Sequence, residues 1–255
     1  MPGAHDSQDP TRRGPPWWAV PTGIAVALAL ATLFLRTSDL ELDVQRLFYS
    51  ETRGRWPWKN HALPHSLYTY GTYPAALVGL VSFFALVASF AWKRARAWRA
   101  EAAFYLLVLA LGPGLIVNTV FKQNWGRPRP HYTEEFGGER VYVPALTKGE
   151  KGASFPSGHS SMGFFMFTPY FRWRHTRKRR AWTFLALGLG MGASIGLARM
   201  VQGMHYLSDV VWSCGIVALV ASLFAPAFGF GSRGEAAAPR APRAARPIDS
   251  GAAGR

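Results

Sequence analysis

The stretch AAFYLLVLALGPGLIVNTVFKQNWGRPRP, residues 102–130, decides the fold class. Its first part, 102–121, carries no charged residue. At about 1.5 Å of rise per residue such a run spans the roughly 30 Å hydrocarbon core of a bilayer as a helix. Polarity then changes at once. Lys122, Arg127 and Arg129 follow, interleaved with Gly126, Pro128 and Pro130. Proline fixes φ, lacks a donor and biases its predecessor toward extended backbone, so the helix stops here and the cations fall in a turn at the membrane surface. Five further apolar stretches lie outside this one, at 17–35, 73–92, 160–171, 182–197 and 210–228. Together they predict an all-α, polytopic membrane protein built as a six-transmembrane-helix bundle. The fourth and fifth stretches are short for a span. The fourth helix is expected to begin at the polar residues just before it and to hold them near the surface.

Composition agrees. Charged residues make up 17% of the chain and hydrophobic ones 49%, against about 25% charge in a soluble domain. The formal net charge of +15 would suggest nucleic acid in a soluble protein. Here the charge lies in short runs between apolar stretches, at 93–96 and 172–180, with no recognition motif beside it, so no nucleic-acid partner is expected. The one cysteine, Cys214, cannot form an intrachain disulfide or a cysteine-based zinc site and reads as a small core residue.

The basic runs orient the chain. Arg12 and Arg13, the runs at 93–99 and 172–180, and the arginines after the sixth stretch fall on one side of a six-span topology. The positive-inside rule assigns that side to the cytoplasm, with both termini. Residues 1–16 and 231–255 lack the apolar content to fold and are expected to be disordered cytoplasmic ends. The membrane domain is then 17–230. The first stretch reads as a retained helix, since no convincing small-residue cleavage site accompanies it. Segment 39–65 lies outside. Leu40, Leu42, Val44, Leu47 and Phe48 make it partly amphipathic, and Trp56, Trp58, Tyr68, Tyr70 and Tyr73 suit a headgroup belt; a packed external loop is the competing reading.

Three polar clusters share the outer face: residues 122–130, Pro156-Ser157-Gly158-His159, and Arg199 through His205 to Asp209. Phosphoryl transfer is mostly positioning and charge stabilisation. Arg129 and Arg199 can give bidentate guanidinium contacts and Lys122 a point charge. Arg127 reads either as a headgroup contact or as a cation facing water. Ser157 is suited to cap the helix that starts near His159, and free N–H groups at such a terminus bind phosphate. His205 and Asp209 are four apart, so on a helix they share a face, and the carboxylate would fix the imidazole tautomer. Metal ligation is the rival for two histidines and an aspartate. No His-x-x-x-His pair or second carboxylate lies close in sequence, and the cations would repel a metal, so none is expected.

These clusters resemble the signature of the type 2 phosphatidic acid phosphatase family, whose site is similar to that of vanadium-dependent haloperoxidases. Lys122 with Arg129-Pro130, then Pro156–His159, then Arg199, His205 and Asp209 match its three parts, within a core at 102–228. Ala198 departs from the pattern, which usually has serine there. The resemblance implies a six-helix bundle, a metal-free and cofactor-free site at the outer membrane–water interface, and a phosphohistidine intermediate. It implies His205 as nucleophile, Asp209 as its orienting partner and His159 as general acid. Lys122, Arg129, Arg199, Ser157 and the Gly158 N–H would hold the phosphoryl oxygens. The expected partners are the bilayer and a membrane lipid phosphate, with lipid A ahead of phosphatidylglycerophosphate and undecaprenyl diphosphate, in a bacterial inner membrane with the site facing the periplasm. The alternatives are a non-catalytic phospholipid carrier and a haloperoxidase-like enzyme that holds vanadate.

Overall fold

The computed structural model describes residues 16–230. The expected disordered ends therefore lie outside the described residues, apart from Pro16, whose carbonyl accepts the Ala19 N–H at 3.0 Å. The fold is all-helical; among the described residues the β pairings are isolated bridges, Ser50 with Arg55 and Thr133 with Arg140.

Helix α1 (Ala19–Thr37) is followed by two short helices, α2 (Leu40–Arg46) and α3 (Ala62–Tyr70), and then by α4 (Tyr73–Ala91). Helix α5 (Arg99–Leu109) runs on through π-helical turns (Ala110–Phe121) into α6 (Lys122–Asn124). The last four are α7 (Gly158–Phe165), α8 (Thr168–Trp173), α9 (Lys178–Val201) and α10 (Leu207–Phe224).

Among the described residues five helical stretches are long and apolar enough to cross a membrane: Ala19–Thr37, Ala62–Ala91, Lys93–Asn124, Lys178–Val201 and Leu207–Phe228. The stretch expected at 160–171 is not among them. It is broken into α7 and α8 around Met166 and Phe167, with Pro169 in the first turn of α8. Proline has no N–H to give the preceding turn and is at home at a helix start, so the chain ends one helix and begins another. The stretch expected at 182–197 is longer than its apolar run, because Lys178, Arg179 and Arg180 already belong to α9.

The π-helical turns have a local cause. Pro113 lies inside the stretch and cannot donate to a carbonyl one turn back. Asn118 Nδ2 donates to the Pro113 carbonyl at 2.7 Å, and Thr119 Oγ1 to the Gly114 carbonyl at 3.3 Å, so the polar groups of this wide turn find partners.

Helix α10 is the centre of the bundle. Half of its apolar window is buried, against 22% for α1. It packs on α1, α7 and the π-helical turns. Phe104, Phe164, Phe165, Phe167, Phe171 and Val217 form the main core. A Cβ on Gly163 would come within 2.7 Å of the Gly192 Cα, so α7 and α9 cross closely because both residues are glycine. Leu30, Leu33 and Phe34 of α1, and Leu77, Phe83, Phe84 and Phe90 of α4, are exposed. Such faces suit lipid, which is as apolar as leucine.

The segment 125–157 folds over one end of the bundle as a cap, held by Gly149 N–H to Trp125 O (2.9 Å) and Ser154 N–H to Arg127 O (3.0 Å). Gly126 has φ +69°, and a Cβ there would lie 2.1 Å from the Gly149 carbonyl oxygen. Only glycine serves both needs.

Segment 39–65 decides between its two sequence readings. The face that α2 buries carries Glu41 and Gln45, whereas Leu47 is 78% exposed. Trp56 is buried against Phe136 and Tyr206 and is no part of a headgroup belt, while Trp58, Tyr70 and Tyr73 remain exposed. The segment is thus a packed loop with an aromatic rim.

Candidate active site

Four helix ends meet under the cap. They are the C-terminal end of the third long stretch with Lys122, the N-terminus of α7 with Ser157–His159, the C-terminal end of α9 with Arg199, and the N-terminus of α10 with Asp209. Helix α3 adds Tyr68.

Ser157 caps α7 with extended backbone, its side chain accepting the Ser160 N–H at 3.5 Å and pairing with Ser160 Oγ at 2.8 Å. Its N–H donates to the Asp209 carbonyl at 3.1 Å and its carbonyl accepts from Ser213 Oγ at 2.8 Å, so α7 and α10 are tied end to end. Gly158 is a point of close approach. A Cβ there would lie within 2.4 Å of Asn118 Oδ1 and 3.3 Å of Lys122 Nζ. The π-helical turns therefore bring Asn118 and Lys122 against the start of α7.

His205 and Asp209 meet, though not on one helix as their spacing suggested. His205 precedes α10, and Asp209 is the third residue of its first turn. Asp209 Oδ2 accepts the Tyr206 N–H at 2.8 Å, which closes a capping box with Tyr206 at the cap position. The same oxygen lies 3.3 Å from His205 Nδ1. A carboxylate can only accept, so Nδ1 carries the hydrogen and Nε2 the lone pair. Gln45 Nε2 donates to the His205 carbonyl at 2.7 Å. The His205 side chain is 1% exposed. Burial pushes it down to about 4; Asp209 opposes this by hydrogen bond and charge, and Lys122 and Arg199 add to it.

Behind Asp209 lies a buried ionic network. Arg127 Nη1 donates to Asp209 Oδ1 at 2.6 Å and to Ser208 Oγ at 2.7 Å; Nη2 donates to Glu41 Oε2 at 2.8 Å and Nε to the Val143 carbonyl at 2.8 Å. Ser154 Oγ donates to Asp209 Oδ2 at 2.5 Å, and Tyr142 OH to Glu41 Oε2 at 2.5 Å. Ser208 gives both its N–H (3.0 Å) and its hydroxyl to Glu41 Oε1. The guanidinium also lies 4.3 Å from the Tyr206 ring centroid. Burial works against the Arg127 charge, but Asp209 and then Glu41 outweigh it and hold its pKa above the ordinary value. Arg127 is therefore neither a headgroup contact nor a water-facing cation. It is fully buried because two carboxylates, a carbonyl and a ring saturate it.

In front of His205 the polar groups are less satisfied. Arg199 Nη1 donates to Gln202 Oε1 at 2.6 Å, its guanidinium lies 4.3 Å from the Tyr68 ring centroid, and its Nε has no partner among the described residues. Arg129 makes one weak contact, Nη1 to Met204 Sδ at 3.8 Å. Neither arginine, nor Lys122, forms an ion pair among the described residues. His159 lies beside Tyr68 with ring centroids 4.6 Å apart. Burial pushes His159 down to about 4, and Arg199, Lys122, His205 and Arg129 add to it in that order. Tyr68 thus has Arg199 on its ring at 4.3 Å and His159 at 4.6 Å, while Lys122 lies against Gly158, the residue before His159. Ala198, where serine was expected, is buried in α9. Among the described residues no three His, Cys, Asp or Glu side chains gather as a metal site.

Sequence reasoning missed Glu41, Ser154 and Tyr68 as members of this site. Glu41 and Gln45 are four apart on α2, which was a readable signal; the surrounding leucines drew attention to the other face. Tyr68 carried only the general preference of tyrosine for interfaces. Ser154 gave no signal, since its place depends on how the cap folds.

A family model described as the PAP2 superfamily matches residues 101–231. The chain is similar to a lipid A 4'-phosphatase of Francisella tularensis subsp. novicida (strain U112), at 32% identity over 204 residues that cover 78% of this chain and 90% of that one. It is also similar to a lipid A 4'-phosphatase of Rhizobium leguminosarum, at 36% over 121 residues, 45% of this chain and 50% of the relative. A third, from Rhizobium etli, shares 32% over 120 residues, 45% and 46% of the two chains. No solved structure matches the chain.

Proposed function

The chain belongs to the PAP2 superfamily and is a phosphoric ester hydrolase; from that premise we propose that it removes phosphate from a membrane lipid through a phosphohistidine on His205. The observation that carries this is the pairing of a buried, tautomer-fixed imidazole with three cations that lack carboxylate partners among the described residues, at one end of an apolar bundle.

Nε2 of His205 attacks phosphorus from the face opposite the lipid oxygen. The N–P bond forms as the P–O bond breaks, and its electron pair goes to the lipid oxygen. His159 gives that oxygen a proton. Water then attacks the phosphohistidine, His159 takes its proton, and inorganic phosphate leaves with His205 restored. Lys122, Arg129, Arg199, Ser157 and the Gly158 N–H hold the equatorial oxygens, where donors placed in advance act most strongly in a dry site. Burial first and the cations after it hold the His159 pKa low; a bound phosphate dianion offsets the cations and so favours the protonated imidazole that acid catalysis needs.

The names of the three relatives favour lipid A as the substrate class, with attack on a sugar phosphate. Purified protein assayed on lipid A, phosphatidylglycerophosphate, undecaprenyl diphosphate and phosphatidic acid should release phosphate fastest from lipid A and keep its rate in EDTA. Release from none of them would refute the reading. The basic turns at 93–98 and 172–180 would face the cytoplasm and the site the periplasm of the inner membrane, in six crossings with α7 and α8 together as the fourth. In a Cys214→Ala background, Lys148→Cys should label from outside and Arg94→Cys only after permeabilisation. The reverse pattern would invert the topology.

A further inference from the structure

Beside the reactive centre the same end of the molecule holds a basic cavity of about 470 Å³. Arg55, Lys59, Asn60 and His131 give it polar walls, Trp56 and Phe136 pack together beneath with ring centroids 5.3 Å apart, and no carboxylate lines it. Neither Arg55 nor Lys59 has an ion-pair partner among the described residues.

The wall between cavity and reactive centre is one turn thick. Gln202 accepts from Arg199 Nη1 at 2.6 Å on one side and donates Nε2–H to the Lys59 carbonyl at 3.3 Å on the other. The next residue, Gly203, accepts the His131 N–H at 3.0 Å and lies 2.8 Å from His131 Nδ1 through its carbonyl. The one after, Met204, touches Arg129. The wall is also closely packed. Gly203 has φ +68°, and a Cβ there would come within 2.5 Å of the Trp56 ring, so the 55–60 segment is seated directly on the turn that carries Arg199.

A lipid with one phosphate and a small headgroup would leave this cavity unused. We infer that it is a second anion subsite, taking a phosphate or carboxylate carried on the same headgroup as the scissile phosphate. The inference rests on the lipid phosphatase reading and narrows it to a bulky, multiply anionic headgroup. Binding there spends the charge of Arg55 and Lys59 on orienting the substrate, away from the bond that breaks.

The test compares two acylated disaccharides with equal acyl content, one bearing two phosphates and one only the scissile phosphate, in neutral detergent. For Arg55→Ala/Lys59→Ala the ratio of kcat/KM, bisphosphate over monophosphate, should fall about tenfold relative to wild type, chiefly through KM. An unchanged ratio would overturn the subsite. Equilibrium binding of both lipids to His205→Ala protein, with and without the double substitution, reads the same ratio without turnover. If wild type releases no phosphate from either lipid but the affinity ratio falls, the subsite stands and the phosphatase reading does not. If turnover is normal and both ratios are unmoved, the reverse holds. Inorganic phosphate is the last arm. Should it tighten monophosphate binding as much as the second covalent phosphate does, the cavity holds free phosphate and the subsite is refuted.

Discussion

The two sides of His205 are built on opposite plans. Behind it, Arg127, Glu41, Asp209, Ser154, Ser208 and Tyr142 form a closed set in which each charge faces an opposite charge. In front, Lys122, Arg129 and Arg199 have no carboxylate paired to them among the described residues. A buried ion pair needs full compensation because desolvation costs each ion several kcal/mol. Like charges gathered without counterions raise the free energy of the empty site, and an anion that arrives there relieves it. On the proposed reading the rear network fixes geometry and the front cluster is completed by a ligand. The same residue type therefore has two meanings in one chain, and the partners decide which applies.

The largest effect should come from the group between the two sides. His205→Ala should lower turnover at least about 10⁴-fold on every substrate, as loss of a nucleophile does in triad enzymes. No phosphoenzyme should be trapped from it. A labelled phosphoenzyme in that variant would move the nucleophile elsewhere.

The two arginine classes should then separate. Arg127→Met leaves Glu41 and Asp209 buried and unpaired and should cost about 3–5 kcal/mol of stability. It should be seen as a large drop in Tm of the detergent-solubilised protein. Adding Glu41→Gln should recover part of the loss, because one stranded charge is removed with its partner. Arg199→Met should leave Tm near or above the wild-type value yet lower kcat/KM about 10²-fold or more. Equal Tm losses for Arg127→Met and Arg199→Met would erase the distinction.

That distinction also marks where the sequence stops being legible. The helical class, the long spans and the residues of the front cluster follow from local signals: charge-free runs, prolines after Lys122, and short polar clusters at their ends. Arg127 was not legible. Two residues from Arg129 in the same turn, it is separated from it only by tertiary partners, and Glu41 is 86 positions away. The π-helical turns were likewise hidden, since hydropathy reports that 102–121 is apolar and not how it winds around Pro113. The broken fourth helix was half legible, as its shortness was plain but the role of Pro169 was not.

His159 should show a smaller and substrate-dependent effect. Its proposed role is to protonate the leaving oxygen, and general acid catalysis contributes about 10²–10⁴-fold when that oxygen is a poor leaving group. His159→Ala should lose activity in that range on a lipid phosphate and much less on p-nitrophenyl phosphate, whose phenolate leaves unaided. His205→Ala should gain nothing from the change. Equal rescue of both variants would mean that the acid and the nucleophile have been assigned the wrong way round.

The smallest effect separates front from rear by pH. His159 and His205 are both pushed from 6.5 to about 4, in each case first by burial. The unfolded chain takes up these protons near pH 6.5, whereas the folded protein resists them until about pH 4. Within that window the unfolded state binds more protons, so stability rises with pH, is lost as pH falls from about 6.5 toward 4, and is insensitive to these groups above it. The two histidines differ in the influence that ranks second to burial. For His159 it is the charge of Arg199 and then Lys122, which a bound anion offsets; for His205 it is Asp209, which belongs to the rear network and stays. Lys122 and Arg199 also lower His205, but rank after Asp209 there, so saturating inorganic phosphate should flatten part of the acid-side fall in Tm, more through His159 than through His205. In His159→Asn protein the fall should already be shallower and phosphate should flatten it less. Should phosphate raise Tm by the same amount at pH 5 and pH 7.5, in both proteins, the anion would not be binding within reach of His159, and the front cluster would lose its claim to be the phosphate site.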